Sequence, residues 1–200
     1  MKVEGDSKPH HQRTGRGQIL MDDKNTNRTI EYYNTHADRY SEITRNADMS
    51  DIYKRFEEHL KPGSRILDLG CGSGRDSKYF LDKGYDVVSL DASETMCKKT
   101  YELTGRPALN MRIEDINCEN EFDAVWACAS MLHVDKGDMI KIFAKVMKAL
   151  KIGGVLYASW KYGKGEQTRD DGRTFANYTE TKVCDMVYSV SGAALEDVWT

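Results

Sequence analysis

Apolar residues recur along this chain with two different periods, and the period changes at the Lys61-Pro62-Gly63 turn. Between residues 29 and 60 they return every three or four positions, as on amphipathic helices: Ile30, Tyr33, Ala37 and Tyr40, then Ile52, Phe56 and Leu60. After the turn, short apolar runs alternate with helical segments. The pattern predicts an N-terminal helical segment followed by an α/β unit.

The α/β part predicts six strands separated by helices. The strands are 65–69, 86–90, 108–113, 122–128, 155–160 and 194–199. The helices are 77–83, a helix capped by Ser93 that runs to residue 103, 136–150 and 179–190, and the polar stretch 161–177 is expected to be a long loop. Strand–helix alternation predicts a parallel sheet with right-handed crossovers, whose ligands lie at the carboxyl ends of the strands.

Composition narrows the class of protein. The 200 residues carry a net charge of −3, which argues against a dedicated nucleic-acid binder. No apolar run reaches the roughly 18 residues of a membrane helix, and the N-terminus has no signal-peptide core. Five scattered cysteines without a C-x-x-C pair favour free thiols in the cytoplasm and no metal site. Residues 1–28 predict a flexible polar tail, leaving 29–200 as one domain, of which 29–60 form a helical lid.

The segment 68–74, Asp-Leu-Gly-Cys-Gly-Ser-Gly, follows a strand and opens a helix. Its glycines let a ligand approach the backbone closely. A dinucleotide fingerprint requires a glycine where this chain has Arg75, which disfavours a nicotinamide dehydrogenase. Asp91 ends the second strand and is placed to bind the two ribose hydroxyls of a nucleoside, although it is also a possible helix cap before Ser93.

Two motifs, Ile-Leu-Asp-Leu-Gly-Cys-Gly-Ser-Gly at 66–74 and Val-Ser-Leu-Asp-Ala-Ser at 88–93, resemble those of the class I S-adenosylmethionine-dependent methyltransferases. Segments 128–134 and 150–155 are also similar to that family. Residues 74–76 and 157–161 resemble a bacterial subgroup related to tellurite-resistance and small-molecule methyltransferases. The resemblance implies a Rossmann-like, doubly wound, mostly parallel sheet. Because six strands are predicted and the family has seven, the last antiparallel strand is expected to be missing.

The resemblance also implies that S-adenosylmethionine is the cofactor and S-adenosylhomocysteine the product. The implied cofactor contacts are Tyr33, Tyr40, Asp68, Gly70, Cys71, Gly72, Gly74, Asp91, Ala92, Met96, Glu114, Asp115 and Ala127. For the adenine amino group, Asp115 is preferred to Glu114. Core packing is the alternative role for the two tyrosines.

On the acceptor side, His133 follows the fourth strand and is the candidate general base, with loop shaping by hydrogen bonds as the alternative. Ser130 is expected beside the methyl group. Trp160 and Tyr162 could form an aromatic wall, although Trp160 could equally be core. Arg169, Arg173 and Tyr178 in the polar segment could bind an anionic substrate.

These features predict methyl transfer to a small molecule by in-line displacement. A general base is required only if the nucleophile is protonated. A non-catalytic cofactor-binding sensor or partner subunit is the first alternative. An RNA methyltransferase is the second, and the acidic body of the chain counts against it. A homodimer is a further possibility, and no membrane partner is expected.

Overall fold

The computed structural model of the chain describes residues 26–200. The predicted N-terminal helical segment consists of three helices: α1 (residues 26–35), α2 (Ala37–Arg45) and α3 (Ser50–Glu57). Residues 26–28, assigned to the tail by sequence, are already helical, and the remainder of the predicted tail lies outside the described residues. Three consecutive helices thus precede the α/β unit.

The α/β unit is built on a parallel sheet of five strands. The strands are β1 (Arg65–Leu69), β2 (Asp86–Asp91), β3 (Ala108–Asn110), β4 (Phe122–Ala127) and β5 (Leu150–Ala158). The helices are α4 (Arg75–Asp82), α5 (Glu94–Thr104), α6 (Met139–Ala149) and α7 (Glu180–Ser189). The strand order β3-β2-β1-β4-β5 confirms the predicted doubly wound fold. Its order reverses between β1 and β4, which is where such sheets bind ligands.

Both faces of the sheet are covered, and this explains why the strands are continuously apolar. Along β4, Val125 and Ala127 pack into the core cluster that contains α6, whereas Ala124 and Trp126 pack on α3 and α4. All four side chains are inaccessible to solvent. Helices α3 and α4 therefore pack on the face of the sheet opposite to α6.

The predicted sixth strand at 194–199 is wrong, because the structure has no regular element there. This segment docks through side chains rather than through a backbone ladder. Asp197 pairs with Arg55 at 2.7 Å, and the same guanidinium lies 4.1 Å from the centroid of the Trp199 ring. Among residues 26–200, no antiparallel strand joins the main sheet.

The long loop predicted at 161–177 is also wrong, because it contains an antiparallel hairpin of β6 (Glu166–Thr168) and β7 (Thr174–Ala176). Gly172 adopts a left-handed φ of +85° at the turn, where Arg169 N–H donates to the Arg173 carbonyl at 2.9 Å. Such a three-residue loop ending in a left-handed glycine is a common hairpin connection. The described residues therefore form seven strands rather than six. None of their helices is both long and apolar enough to cross a bilayer.

Candidate active site

The glycine loop between β1 and α4 is strapped to the neighbouring strand. The amides of Gly70 and Cys71 both donate to the Leu90 carbonyl, at 2.8 and 2.9 Å. Gly70 has a φ of +79°, and a Cβ there would lie 2.3 Å from the Cβ of Ser130. Position 70 therefore requires glycine, both for its backbone conformation and for the close approach of the segment after β4.

Asp91 joins the glycine loop to the start of α5. One carboxylate oxygen accepts the amide of Gly72 and the other accepts the amide of Ser93, both at 2.8 Å. Burial raises the pKa of Asp91, and these two amides counteract that rise. A carboxylate offers about four lone-pair positions, so each oxygen can accept one further donor. The predicted helix cap is a separate residue, Ser93, whose hydroxyl accepts the Met96 amide.

Two further acids support the loop from below. Asp68 is buried and accepts the Ser77 hydroxyl at 2.5 Å, and burial raises the pKa of this carboxyl. Asp76 accepts hydrogen bonds from Arg75 Nε at 2.6 Å and Trp126 Nε1 at 2.8 Å. These bonds fix the strand-to-helix connection. Asp68 thus supports the loop without facing the space above it.

Above the glycine loop lies a cleft at the switch point of the sheet, roofed by α1 and α2. The enclosed volume of the cleft is about 120 Å³, and its mouth is open to solvent. Ten of the predicted site residues line it: Tyr33, Tyr40, Gly70, Gly72, Asp91, Ala92, Met96, Glu114, Ser130 and His133.

The other predicted site residues lie outside this lining. On the cofactor side they are Asp68, Cys71, Gly74, Asp115 and Ala127. Cys71 is buried with its sulfur 3.4 Å from Thr100 Oγ1, and a Cβ on Gly74 would touch the same threonine. The structure brings Glu114 rather than the preferred Asp115 to the cleft. This selection follows from a short 3-10 helix, Ile113–Asp115, where the predicted third strand has already ended.

The aromatic residues expected on the acceptor side also lie away from the cleft. Trp160 packs against the core and the Tyr178 ring, and within residues 26–200 its indole N–H has no hydrogen-bond partner. Tyr162 is two-thirds exposed. Arg173 stacks on Tyr32 with 3.9 Å between its Cζ and the ring centroid.

Several lining residues were not singled out from the sequence. They include Thr26, Thr29, Ile30, Leu90, Arg112, Ile113 and Val134. Thr26, Thr29, Ile30 and Tyr33 recur at the spacing of one helical face. This helical spacing is the sequence signal for these residues. A tail boundary at residue 28 separates Thr26 from the rest of the helical face.

His133 is held by both of its ring nitrogens. Nδ1 lies 2.7 Å from the Thr174 carbonyl, which can only accept, so Nδ1 carries the proton. Nε2 therefore accepts the Tyr33 hydroxyl at 2.9 Å. Burial lowers the pKa of His133 to about 4 and raises that of Tyr33, so both side chains are neutral near pH 7.

Ser130 presents an unused hydroxyl to the cleft. The residue is 7% exposed, and within residues 26–200 its Oγ has no hydrogen-bond partner. The preceding Ala129 has a left-handed φ of +51°, and its amide donates to Ser159 Oγ at 2.8 Å. A non-glycine residue in this region is strained, which is common at ligand sites. Among the same residues, no group of three or more His, Cys, Asp or Glu side chains could hold a metal ion.

One protein family matches the part of the chain that holds both the glycine loop and most of the parallel sheet. Residues 66–154 match the family described as "Methyltransferase domain". The matched segment resembles a methyltransferase domain and contains the glycine loop, Asp91, Ser130 and His133.

Relatives of the methyltransferase domain act on different molecules. The chain is 31% identical over 133 residues to the Synechocystis 2-methyl-6-phytyl-1,4-hydroquinone methyltransferase, covering 62% of this chain and 39% of that protein. It is 28% identical over 171 residues to phosphoethanolamine N-methyltransferase 1 of Zea mays, covering 78% and 33%. The chain thus spans about half or less of the length of such curated relatives.

A solved structure shares the fold over most of the chain. It is the Burkholderia thailandensis 1,6-didemethyltoxoflavin-N1-methyltransferase with bound 1,6-didemethyltoxoflavin and S-adenosylhomocysteine. The TM-score is 0.70 at 17% sequence identity, and the alignment covers 90% of this chain and 81% of that one. The likeness establishes the Rossmann-like fold.

Proposed function

We propose that the protein transfers a methyl group from S-adenosylmethionine to a small-molecule acceptor bound in the cleft. The observation that carries the proposal is Asp91, a buried carboxylate at the switch point whose two oxygens each retain acceptor capacity beside the glycine loop. The relatives support the proposal, since those named above methylate a hydroquinone and an amine and the structural neighbour binds a small heterocycle.

The cleft residues fit this cofactor. The ribose hydroxyls would donate hydrogen bonds to Asp91. Ala92 and Met96 would pack on the adenine, and Glu114 would accept a hydrogen bond from the adenine amino group. Gly70 and Gly72 line the part of the cleft where the methionine portion would lie, and the unpartnered Ser130 hydroxyl lies beside Gly70. When bound, the cofactor supplies an electrophilic methyl group on a sulfonium centre.

The remaining task of the protein is alignment in a dry pocket. Tyr33, Tyr40 and His133 wall the cleft, and the Tyr33 ring meets the Tyr40 ring edge-on at 5.1 Å. His133 is neutral, and its Nε2 lone pair already accepts the Tyr33 hydroxyl, so His133 orients this tyrosine. It can take a proton from the methyl acceptor only after that hydrogen bond breaks. This arrangement suits a nucleophile that is already unprotonated at the working pH and needs no general base.

The proposal includes the cytoplasm as the location and a small molecule, not a nucleic acid, as the partner. All five cysteines are free, which supports a reducing compartment. The net charge of −3 supports a partner other than nucleic acid.

Calorimetry with S-adenosylhomocysteine tests the cofactor part. The wild-type protein should bind it, and Asp91→Ala should weaken binding about 100-fold, because hydrogen bonds to a charged group are worth about 1.5–3 kcal/mol each. Asp82→Ala, which removes an exposed carboxylate paired with Lys78, is the matched control and should bind normally. Failure of the intact protein to bind would overturn the proposal.

Turnover separates an enzyme from a sensor. S-adenosylhomocysteine release should be followed with amine, phenol, thiol and carboxylate acceptors. Methylation of any class supports the enzyme. Normal cofactor binding with no turnover across the panel would favour a non-catalytic module.

A further inference from the structure

The hairpin β6–β7 and the segment before it bring three cations together beside the cleft. We propose that Lys161, Arg169 and Arg173, the cation cluster, bind an anionic phosphate or carboxylate group of the methyl acceptor. The inference rests on the proposed function and specifies the substrate class of the same site.

The three cations surround one aromatic ring. Lys161 Nζ lies 3.6 Å from the centroid of Phe175, Arg169 Cζ 4.8 Å and Arg173 Cζ 5.4 Å. Phe175 is itself buried, so the ring has a fixed position on β7. Sharing one ring places the three positive charges close to one another. Desolvation by burial, together with the nearby charges of Arg169 and Arg173, lowers the pKa of Lys161.

The cluster carries more positive charge than its neighbours neutralise. Asp171 pairs with Arg173 at 2.6 Å, and this contact lowers the pKa of Asp171 to about 2. Within residues 26–200, neither Lys161 nor Arg169 has a carboxylate oxygen within 4 Å. Mutual repulsion of uncompensated cations disfavours folding, and a bound anion would relieve it.

One member of the cation cluster, Arg173, packs near a residue that lines the cleft. The Arg173 guanidinium lies 3.9 Å from the Tyr32 centroid and 5.8 Å from that of Tyr33, which lines the cleft. The adjacent Thr174 carbonyl holds His133. An acceptor whose anionic group binds at Arg173 would therefore lie beside Tyr33. Guanidinium groups suit this role because their fork binds phosphate and carboxylate bidentately.

Cation–π packing alone is the competing explanation, since Arg and Lys stems commonly cover aromatic rings. Variants that remove the charge but keep the apolar stem distinguish anion binding from cation–π packing. Lys161→Met and Arg169→Met do this without disturbing the Arg173–Asp171 pair. Lys164→Met, an exposed cation in the same segment, is the control.

The probe is inorganic phosphate, titrated by calorimetry into protein loaded with S-adenosylhomocysteine. Wild type and Lys164→Met should bind phosphate equally. Lys161→Met and Arg169→Met should bind it about tenfold more weakly or worse, because each loses a charge-assisted hydrogen bond. No phosphate binding by wild type, or equal binding by all variants, would overturn the inference.

Acceptor pairs provide the second arm. Phosphoethanolamine and ethanolamine, which differ by one anionic group, should be compared for KM and kcat. The inference is supported if the anionic member has the lower KM and if Arg169→Met raises that KM without lowering kcat. Equal KM for both members overturns it while leaving methyl transfer intact. Absence of S-adenosylhomocysteine binding would instead remove the proposed function, and the inference with it.

Discussion

The two walls of the cleft are built by different means. The glycine-loop wall consists of two short segments, residues 68–74 and 91–96, and is fixed by backbone amides that donate to Leu90 and Asp91. The lid wall is made of α1 and residues 129–133 and is supported from behind by β7, through contacts between residues distant in sequence. The Tyr33–His133 bond spans 100 residues and the His133–Thr174 bond spans 41. The first wall is therefore set by local geometry and the second by titratable side-chain contacts.

The largest expected effect comes from the glycine-loop wall. Gly70→Ala should destabilise the protein by about 3 kcal/mol, combining left-handed strain with overpacking against Ser130. Gly63→Ala is the control, since its φ is also left-handed, +76°, but a Cβ there meets nothing within 4 Å. It should cost about 1 kcal/mol from the conformation alone. Urea unfolding measures both. Equal losses would mean that the segment after β4 yields and that this wall is not rigid.

The glycine-loop wall could be predicted from the sequence because it depends on adjacent residues. The loop, Asp91 and the Ser93 cap follow from glycines and a capping hydroxyl at short spacing. In the loop after β3, the sequence analysis prefers Asp115, whereas Glu114 lines the cleft. One step along a 3-10 helix turns a side chain by about 120°, and the exact end of β3 sets that rotation.

The lid wall was harder to predict because its residues act through distant partners. His133 could be identified as a candidate, but its two bonds depend on Tyr33 and on a carbonyl of β7. The hairpin had a visible signal in Asp170-Asp171-Gly172. Its strands are only three residues long and lack alternation, since Phe175 and Ala176 are both buried. The apolar residues at 194–199 predict a strand that the structure lacks. Trp199 in this segment instead packs on Arg55 and Tyr157 through its side chain, without a strand partner.

The second prediction concerns the pH response of the lid wall. His133 has a pKa of about 4 when folded and near 6.5 when unfolded. Between these values the unfolded state binds more protons, so stability rises with pH and is lost as pH falls. His133→Gln should therefore remove about 2 kcal/mol of the stability difference between pH 7 and pH 5.

Unfolding of wild type and variant at both pH values isolates this residue from the carboxylates that titrate in the same range. His59→Gln changes an exposed histidine and should leave the pH dependence as in wild type. If His133→Gln keeps the wild-type slope, the imidazole is protonated in the folded protein. The lid wall would then not be held by neutral side chains.

The smallest expected effect tests whether the two walls act together. Asn34 on α1 accepts the Ser93 hydroxyl at 2.7 Å, and its oxygen also lies 3.4 Å from the Thr95 amide, so it joins the lid to the start of α5. Asn34→Ala should cost about 1 kcal/mol and speed dissociation of S-adenosylhomocysteine about fivefold. Thr35→Ala is the control, because its hydroxyl bonds only within its own helix and to His36. Stopped-flow release rates decide between the alternatives. An unchanged rate for Asn34→Ala would show that the lid moves independently of the glycine-loop wall, and a faster rate that closing the lid retains the cofactor.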